Sequence, residues 1–196
     1  MENKYRKLVG TSVLASMATL LQLLEIPIIP TFSFLKIDFS DIPVLVGFFI
    51  YGPMSGILVA LIRSFLHSIY TGLMPPNIVG DIASFLASNI FCLPIFYFFK
   101  HNKFKYNRIF GMVISTLSLT IFMSIVNYFI LTPLYLKIYG VTTQQLLGVT
   151  MTRYIAIGII PFNLIKGSII STVFLLVYFK LFPLIINKNS NPDCLK

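Results

Sequence analysis

The feature that most constrains this chain is a succession of apolar runs, each near the length that crosses a bilayer, separated by short polar breaks. The runs occupy residues 8–24, 42–51, 54–70, 78–99, 109–139 and 154–186. A membrane-crossing helix needs about 20 apolar residues. A soluble domain carries about 25% charged residues, whereas this chain of 196 residues is 57% hydrophobic and 11% charged. The expectation is an all-α integral membrane protein: six transmembrane helices in one domain, 1–186, and a polar C-terminal tail, 187–196. The first run has a secretory leader's basic flank, but its length and the five spans behind it mark a retained helix.

The breaks carry local structure. Residues 27–41 are polar and bounded by proline, and residues 34–39 alternate apolar and polar. That alternation predicts a short extended segment between helices 1 and 2, placed to act as a lid. The second run is short for a full crossing and is cut by Gly52 and Pro53, so it starts lower in the bilayer or tilts little. Pro133 and Pro161 interrupt the last two runs. Proline removes a helix hydrogen bond, so Pro161 marks a kink or the true start of its helix.

Orientation follows from charge. The net charge is +9, which in a soluble protein would suggest nucleic acid. Here Lys4, Arg6, Lys7, Lys100, Lys103, Lys105, Arg108, Lys180, Lys188 and Lys196 all fall on one side of a six-span plan. The opposite side has only Lys36, Lys137 and Arg153. The positive-inside bias then puts both termini in the cytoplasm, with the bilayer as surroundings and no nucleic-acid partner. Cys92 and Cys194 make neither a disulfide framework nor a metal cluster. Trp is absent, so the ten Tyr supply most interfacial anchoring.

Ionisable and amide groups at bilayer depth are costly and mark function. Lys166 and Asn163 are three apart and share a helical face. Asn127 lies in the fifth run, where it serves either a ligand or an interhelical hydrogen bond. Arg63 and His67 are four apart on the third run, and either can pair with Asp81 at the outer end of the fourth. Asp81 is also the candidate partner of Lys166. Asn89 and Gln22 read as packing polar groups. Spans three and five run outward and spans four and six inward, so these groups concentrate in the outer leaflet. A pocket open to the outside needs that arrangement; a proton path would spread them through the full thickness.

Several chemistries are excluded. No phosphate-binding Gly-rich loop, no His-Glu-x-x-His and no Gly-x-Ser-x-Gly occurs. Six acidic residues, with only Asp81 expected inside, leave no paired carboxylates for acid–base catalysis and no divalent-metal site. The chain therefore reads as a non-enzyme with no catalytic residues, metal or cofactor. A stand-alone small-solute carrier stays open, although no internal repeat is visible.

Four segments carry a resemblance to a known family: residues 35–43 (LKIDFSDIP), 51–56 (YGPMSG), 126–129 (VNYF) and 160–167 (IPFNLIKG). Over residues 5–186 the chain resembles the riboflavin-specific substrate-binding components of energy-coupling factor (ECF) vitamin transporters. The first two segments point to vitamin components in general, including those for thiamine or folate; the last points to flavin. The resemblance implies a multi-pass subunit of the bacterial plasma membrane that binds riboflavin from outside as transported ligand. It implies as partners a shared membrane coupling subunit and two ATP-binding subunits that hydrolyse the nucleotide. It places Asn127, Asn163, Lys166, Arg63 and Ser84 in the site, and Thr11, Ser12, Ala15, Ser16 and Ala18 of the first helix at the coupling subunit. An Asn amide complements the acceptor–donor–acceptor edge of an isoalloxazine. Phe39, Phe85 and Phe162 are candidate walls for its tricycle, and Asp81 a candidate polar contact.

Overall fold

The computed structural model describes residues 2–32, 34–101 and 105–189. Lys103 of the expected basic loop, and the expected tail from residue 190 onward with Cys194, lie outside them. Helix α1 is Glu2–Leu23. A short ribbon follows, β1 (Ile26–Pro27) antiparallel to β2 (Lys36–Ile37), with a 3₁₀ turn at Pro30–Phe32 between them. The extended segment expected from alternation is thus one strand of a two-stranded ribbon, and its partner lies just after α1.

Helix α2 (Asp41–Tyr51) is only 11 residues, about 16 Å at 1.5 Å per residue. That is roughly half the ~30 Å hydrocarbon thickness, so α2 is too short to cross a bilayer alone. Gly52 turns the chain with φ 90°, a conformation open to glycine, and Pro53 opens α3 (Pro53–Thr71) at the first helical position. Helix α4 (Pro75–His101) and α5 (Lys105–Val126) follow.

The fifth and sixth runs are not uninterrupted α-helix. A π-helical turn at Asn127–Leu131 separates α5 from α6 (Thr132–Tyr139), where the Thr132 N–H reaches back to the Asn127 carbonyl. After α7 (Thr143–Leu147) and α8 (Met151–Tyr154), a second π turn at Ile155–Ile159 leads into α9 (Ile160–Asn189), and the Ile160 N–H reaches the Ile155 carbonyl. Each π turn begins six residues before a proline, Pro133 or Pro161. Proline has no N–H for the carbonyl four residues back, and its ring crowds that carbonyl. Widening the preceding turn accommodates both defects. Pro161 therefore lies at the α9 start, and the break is a wide turn.

Four stretches are long and apolar enough to cross a membrane: Pro53–Thr71, Pro75–Lys100, Arg108–Tyr139 and Thr143–Lys180; Asp41–Tyr51 is apolar but shorter. Helix α1 is not among them. Lys4, Arg6 and Lys7 crowd its start and Thr11, Ser12, Ser16, Thr19 and Gln22 dilute the rest. The core joins Ala15 and Ala18 of α1, Leu45 and Phe48 of α2, Val59 and Ala60 of α3, Phe91 and Ile95 of α4, and Ile170 and Phe174 of α9. Small residues permit the close helix approach that drives association in lipid. At Gly167 a Cβ would stand 2.7 Å from Thr116 Cγ2, so α5 and α9 meet closely only because that position is glycine. Large apolar side chains such as Phe65, Ile121 and Phe129 point outward, as lipid-facing positions do.

Candidate functional site

The N-terminal end of α2 brings charge into the bundle. Asp41, its first residue, is buried. Arg63 of α3, 1% exposed, donates from Nη1 to Asp41 Oδ1 at 3.0 Å and to Ser40 Oγ at 2.7 Å. Its Nη2 donates to Ser84 Oγ at 3.0 Å and Ser88 Oγ at 2.9 Å on α4. Ser88 Oγ in turn donates to Asp41. Lys166, one and a half turns into α9, stands 3.3 Å from Asp38 Oδ2 and 3.9 Å from Asp41 Oδ2. Asp38 also accepts from the Ser40 backbone N–H at 2.9 Å and from the Ser40 hydroxyl.

This is a quartet of two carboxylates and two cations with no net formal charge. A buried ion is tolerable only when paired and hydrogen-bonded; the serines supply most of the remaining bonds, and Arg63 Nε alone of the guanidinium nitrogens has no partner among the described residues. Asp38 lies between β2 and α2, outside the helices. Burial pushes its pKa up, but the Lys166 and Arg63 charges and the bonds from Ser40 outweigh that and hold it below the usual carboxylate value.

Two sequence expectations are corrected here. Among the described residues, neither Arg63 nor Lys166 forms an ion pair with Asp81; their carboxylates are Asp41 and Asp38. Asp81 is also not the lone acid inside. It belongs to a second cluster, with His67 Nδ1 at 2.7 Å, Ser68 Oγ at 2.5 Å and Gln22 Nε2 at 3.4 Å. That cluster ties α1, α3 and α4, so the expected pairing of His67 with Asp81 is present. Ser84 contacts Arg63, so its visible task is to hold the quartet.

Asn163 is buried and donates Nδ2 to the Ile159 carbonyl at 2.8 Å. Asn127 donates Nδ2 to the Met123 carbonyl, also at 2.8 Å. Among the described residues these are their only side-chain hydrogen bonds. Each amide keeps an oxygen and a second N–H for another partner. Asn127 opens the first π turn, Asn163 lies one turn after the second and bonds its last carbonyl, and the two π turns contact each other. Three of the expected residues thus stand on two adjoining wide turns and the first turns of α9. Phe39 is half-buried just before Ser40, and Phe162 is buried beside Asn163. Phe85 packs against the main core. No ring–ring contact joins any of the three among the described residues.

The loop before α2 is fastened by a residue that the sequence reading passed over. Phe32 is 1% exposed and meets the Tyr154 ring edge-on at 5.1 Å. Its ring covers Gly158 of the second π turn, where a Cβ would approach to 3.0 Å. Leu147 and Ile159 complete that small core. Together with the Asp38–Lys166 contact, this pins the loop to the start of α9.

The five residues expected at a docking surface do not share one. Thr11, Ala15 and Ala18 face the bundle and are buried, while Ser12 and Ser16 are exposed. Spacings of four and three put the first set on one face of α1, and an offset of one residue rotates the second away by about 100°.

A family model described as ECF transporter, substrate-specific component, matches residues 6–178. The riboflavin transporter FmnP of Bacillus subtilis is 37% identical over 187 residues, covering 95% of this chain and 97% of that protein. The riboflavin transporter RibU of Staphylococcus aureus is 38% identical over 176 residues and 90% of each chain. A solved structure of the S component of a bacterial ECF transporter matches with TM-score 0.76 at 37% identity, covering 94% of this chain and 99% of that one.

Proposed function

The chain belongs to the substrate-specific components of ECF transporters, and from that premise we propose that it is the riboflavin-binding subunit of such a transporter in a bacterial plasma membrane. The observation that carries the ligand assignment is the joint placement of Asn127, Asn163 and Lys166 around two π turns, beneath a loop pinned by Phe32 and Asp38. Relatives that share most of both chain lengths are named riboflavin transporters, in line with it.

The site suits a neutral, flat, polar-edged ligand. The quartet already balances its own charges, so a neutral vitamin adds no uncompensated one. The amides of Asn127 and Asn163 offer donor and acceptor to the pyrimidine edge of the isoalloxazine. Lys166 turns from Asp38 toward a ring oxygen or nitrogen. Asp41 keeps Arg63 paired while that happens. Phe39 and Phe162 flank the polar atoms and furnish apolar wall, and the 24–40 loop closes over the vitamin.

In this reading five of the helical runs cross the bilayer alone, and α2 completes its crossing together with the 24–40 loop that precedes it. The end bearing Lys7, Lys100 and Arg108 is cytoplasmic, with both termini. The chain hydrolyses no nucleotide; two ATP-binding subunits do so and act through a membrane coupling subunit. Ser12 and Ser16, the exposed small residues of α1, form the close-approach surface for that subunit. The test is a riboflavin titration of the purified protein followed by quenching of flavin fluorescence, with thiamine and folate as competitors. Saturable quenching that neither competitor reverses supports the assignment. Displacement by thiamine or folate assigns the site to that vitamin instead, and no quenching removes flavin altogether.

A further inference from the structure

At the end of the bundle opposite the quartet, a cavity of about 440 Å³ opens between the α2–α3 turn, the last turns of α4 and the Tyr178 stretch of α9; Phe49, Phe96, Phe99, Tyr178, Gly52 and Lys100 line it. Its walls are aromatic and its lining contains no acid. Lys100 holds its ammonium 5.2 Å from the centre of the Phe96 ring. The Arg108 guanidinium lies over three rings, Tyr178 at 5.2 Å, Phe179 at 5.6 Å and Phe99 at 5.9 Å, of which Tyr178 and Phe99 line the cavity. Ring faces orient such cations but do not satisfy their N–H donors.

The chain's acids lie elsewhere. Of the four whose side chains are described, Glu25 pairs with Lys36, Asp38 and Asp41 belong to the quartet, and Asp81 pairs with His67. Among the described residues Lys100 and Arg108 therefore have no carboxylate partner. They form a preorganised receptor for an oxyanion, because Arg and Lys donors match phosphate oxygens. The edge of this region is lipid-facing: Ile50 is 37% and Phe179 49% exposed. A ligand that entered along that edge would bring apolar chains with its anionic head.

We infer that this cavity binds the headgroup of an anionic phospholipid, with the phosphate on Lys100 and in the field of Arg108, which lies on the Phe99 and Tyr178 rings of the cavity wall, and an acyl chain along the outward faces of α2 and α9. The leaflet, cytoplasmic, rests on the topology proposed above; the binding site does not. An anionic headgroup between transmembrane helices on the positively charged side is a recurrent use of such basic pockets. Binding there would steady the α2–α3 turn, whose other end of α2 holds Asp41 in the quartet.

The experiment is native mass spectrometry of the detergent-solubilised full chain with dioleoyl phosphatidylglycerol or dioleoyl phosphatidylcholine, alongside the riboflavin titration as an independent measure of folding. The wild type should retain phosphatidylglycerol about tenfold more strongly than phosphatidylcholine: both carry the phosphate, but the choline cation of the second cancels its charge beside two basic side chains. Lys100→Gln and Arg108→Gln should each lose that preference, Lys100→Arg should keep it, and riboflavin quenching should be unchanged in every variant that retains its fold. Should Arg108→Gln fail to fold, Lys100→Gln at the mouth decides alone. Equal retention of the two lipids, or an undiminished preference in Lys100→Gln, overturns the inference. Release of the bound lipid by millimolar inorganic phosphate or flavin phosphate also overturns it, since the occupant is then a soluble anion.

Discussion

Replacing Arg63 by Met tests the quartet as a structural unit. The side chain is 1% exposed and makes four bonds of 2.7–3.0 Å to Ser40, Asp41, Ser84 and Ser88. Methionine fills much of the volume but leaves two carboxylates facing Lys166 alone, a net charge of −1 in a buried cluster. Breaking a buried pair by removing one partner costs about 3–5 kcal/mol. For a chain of this length that lowers the melting temperature by roughly 6–20 °C. Adding Asp41→Asn restores neutrality and should recover part of the loss, a coupling of at least about 1 kcal/mol in a double-mutant cycle. The assay is thermal melting in detergent reported by a thiol-reactive dye, because Cys92 is free and buried and reacts only on unfolding; a Cys194→Ser background silences the tail. A single mutant that melts within about 2 °C of wild type, or a double mutant no better than the single, would refute the quartet as the element that holds α2, α3 and α4 together.

Other outcomes follow from the same geometry. Phe32→Ala removes the ring that covers Gly158; riboflavin should dissociate several-fold faster in stopped-flow quenching, and an unchanged off-rate would show that the loop does not gate the site. Asp38 is held below its ordinary value of 3.8, so its contribution is full above that unfolded value and is lost only as pH falls through the lower folded one. Affinity should therefore stay flat from about pH 8 to about pH 5, and a decline centred near pH 5 would contradict an ionised Asp38. Gly167→Leu should separate α5 from α9 at Thr116 and abolish quenching, whereas retained binding would show that their close approach is dispensable. Asp81→Ala should weaken riboflavin less than about threefold, since His67, Ser68 and Gln22 absorb that carboxylate.

The helical runs were legible because a bilayer imposes a length and a hydropathy that few other constraints override. Asn163, Lys166 and Asn127 were legible as polar groups in apolar runs, where each needs a reason to be there. The partners were misjudged at Asp38 and Asp41. Sequence alone treats 27–41 as a surface loop, and a carboxylate there reads as solvated. The signal lay in α2: a run of about half a bilayer's length needs the chain before it to complete the crossing, and in the structure Asp41 at that junction is buried beside Arg63. The π turns were visible only as prolines, since a wide turn has no residue signature beyond the missing donor and crowding six residues on. Phe32 was hidden among 19 Phe, because burial of a ring in a loop depends on long-range contact with Tyr154 and Gly158. On α1 the composition of small residues was read correctly, but which of them faced inward was fixed by packing against α2 and α3.

The central claim is that Asn163 and Lys166 hold the polar edge of riboflavin. Its most direct test is the dissociation constant of riboflavin, by fluorescence quenching, for wild type, Asn163→Ala and Lys166→Ala, each checked for insertion and folding by the Cys92 melt. Truncating a buried polar partner costs about 1–3 kcal/mol, more where charge is involved, so each variant should bind at least about fivefold more weakly while melting cooperatively. Wild-type affinity in a folded Lys166→Ala would show that the lysine serves only the quartet and that the vitamin binds elsewhere.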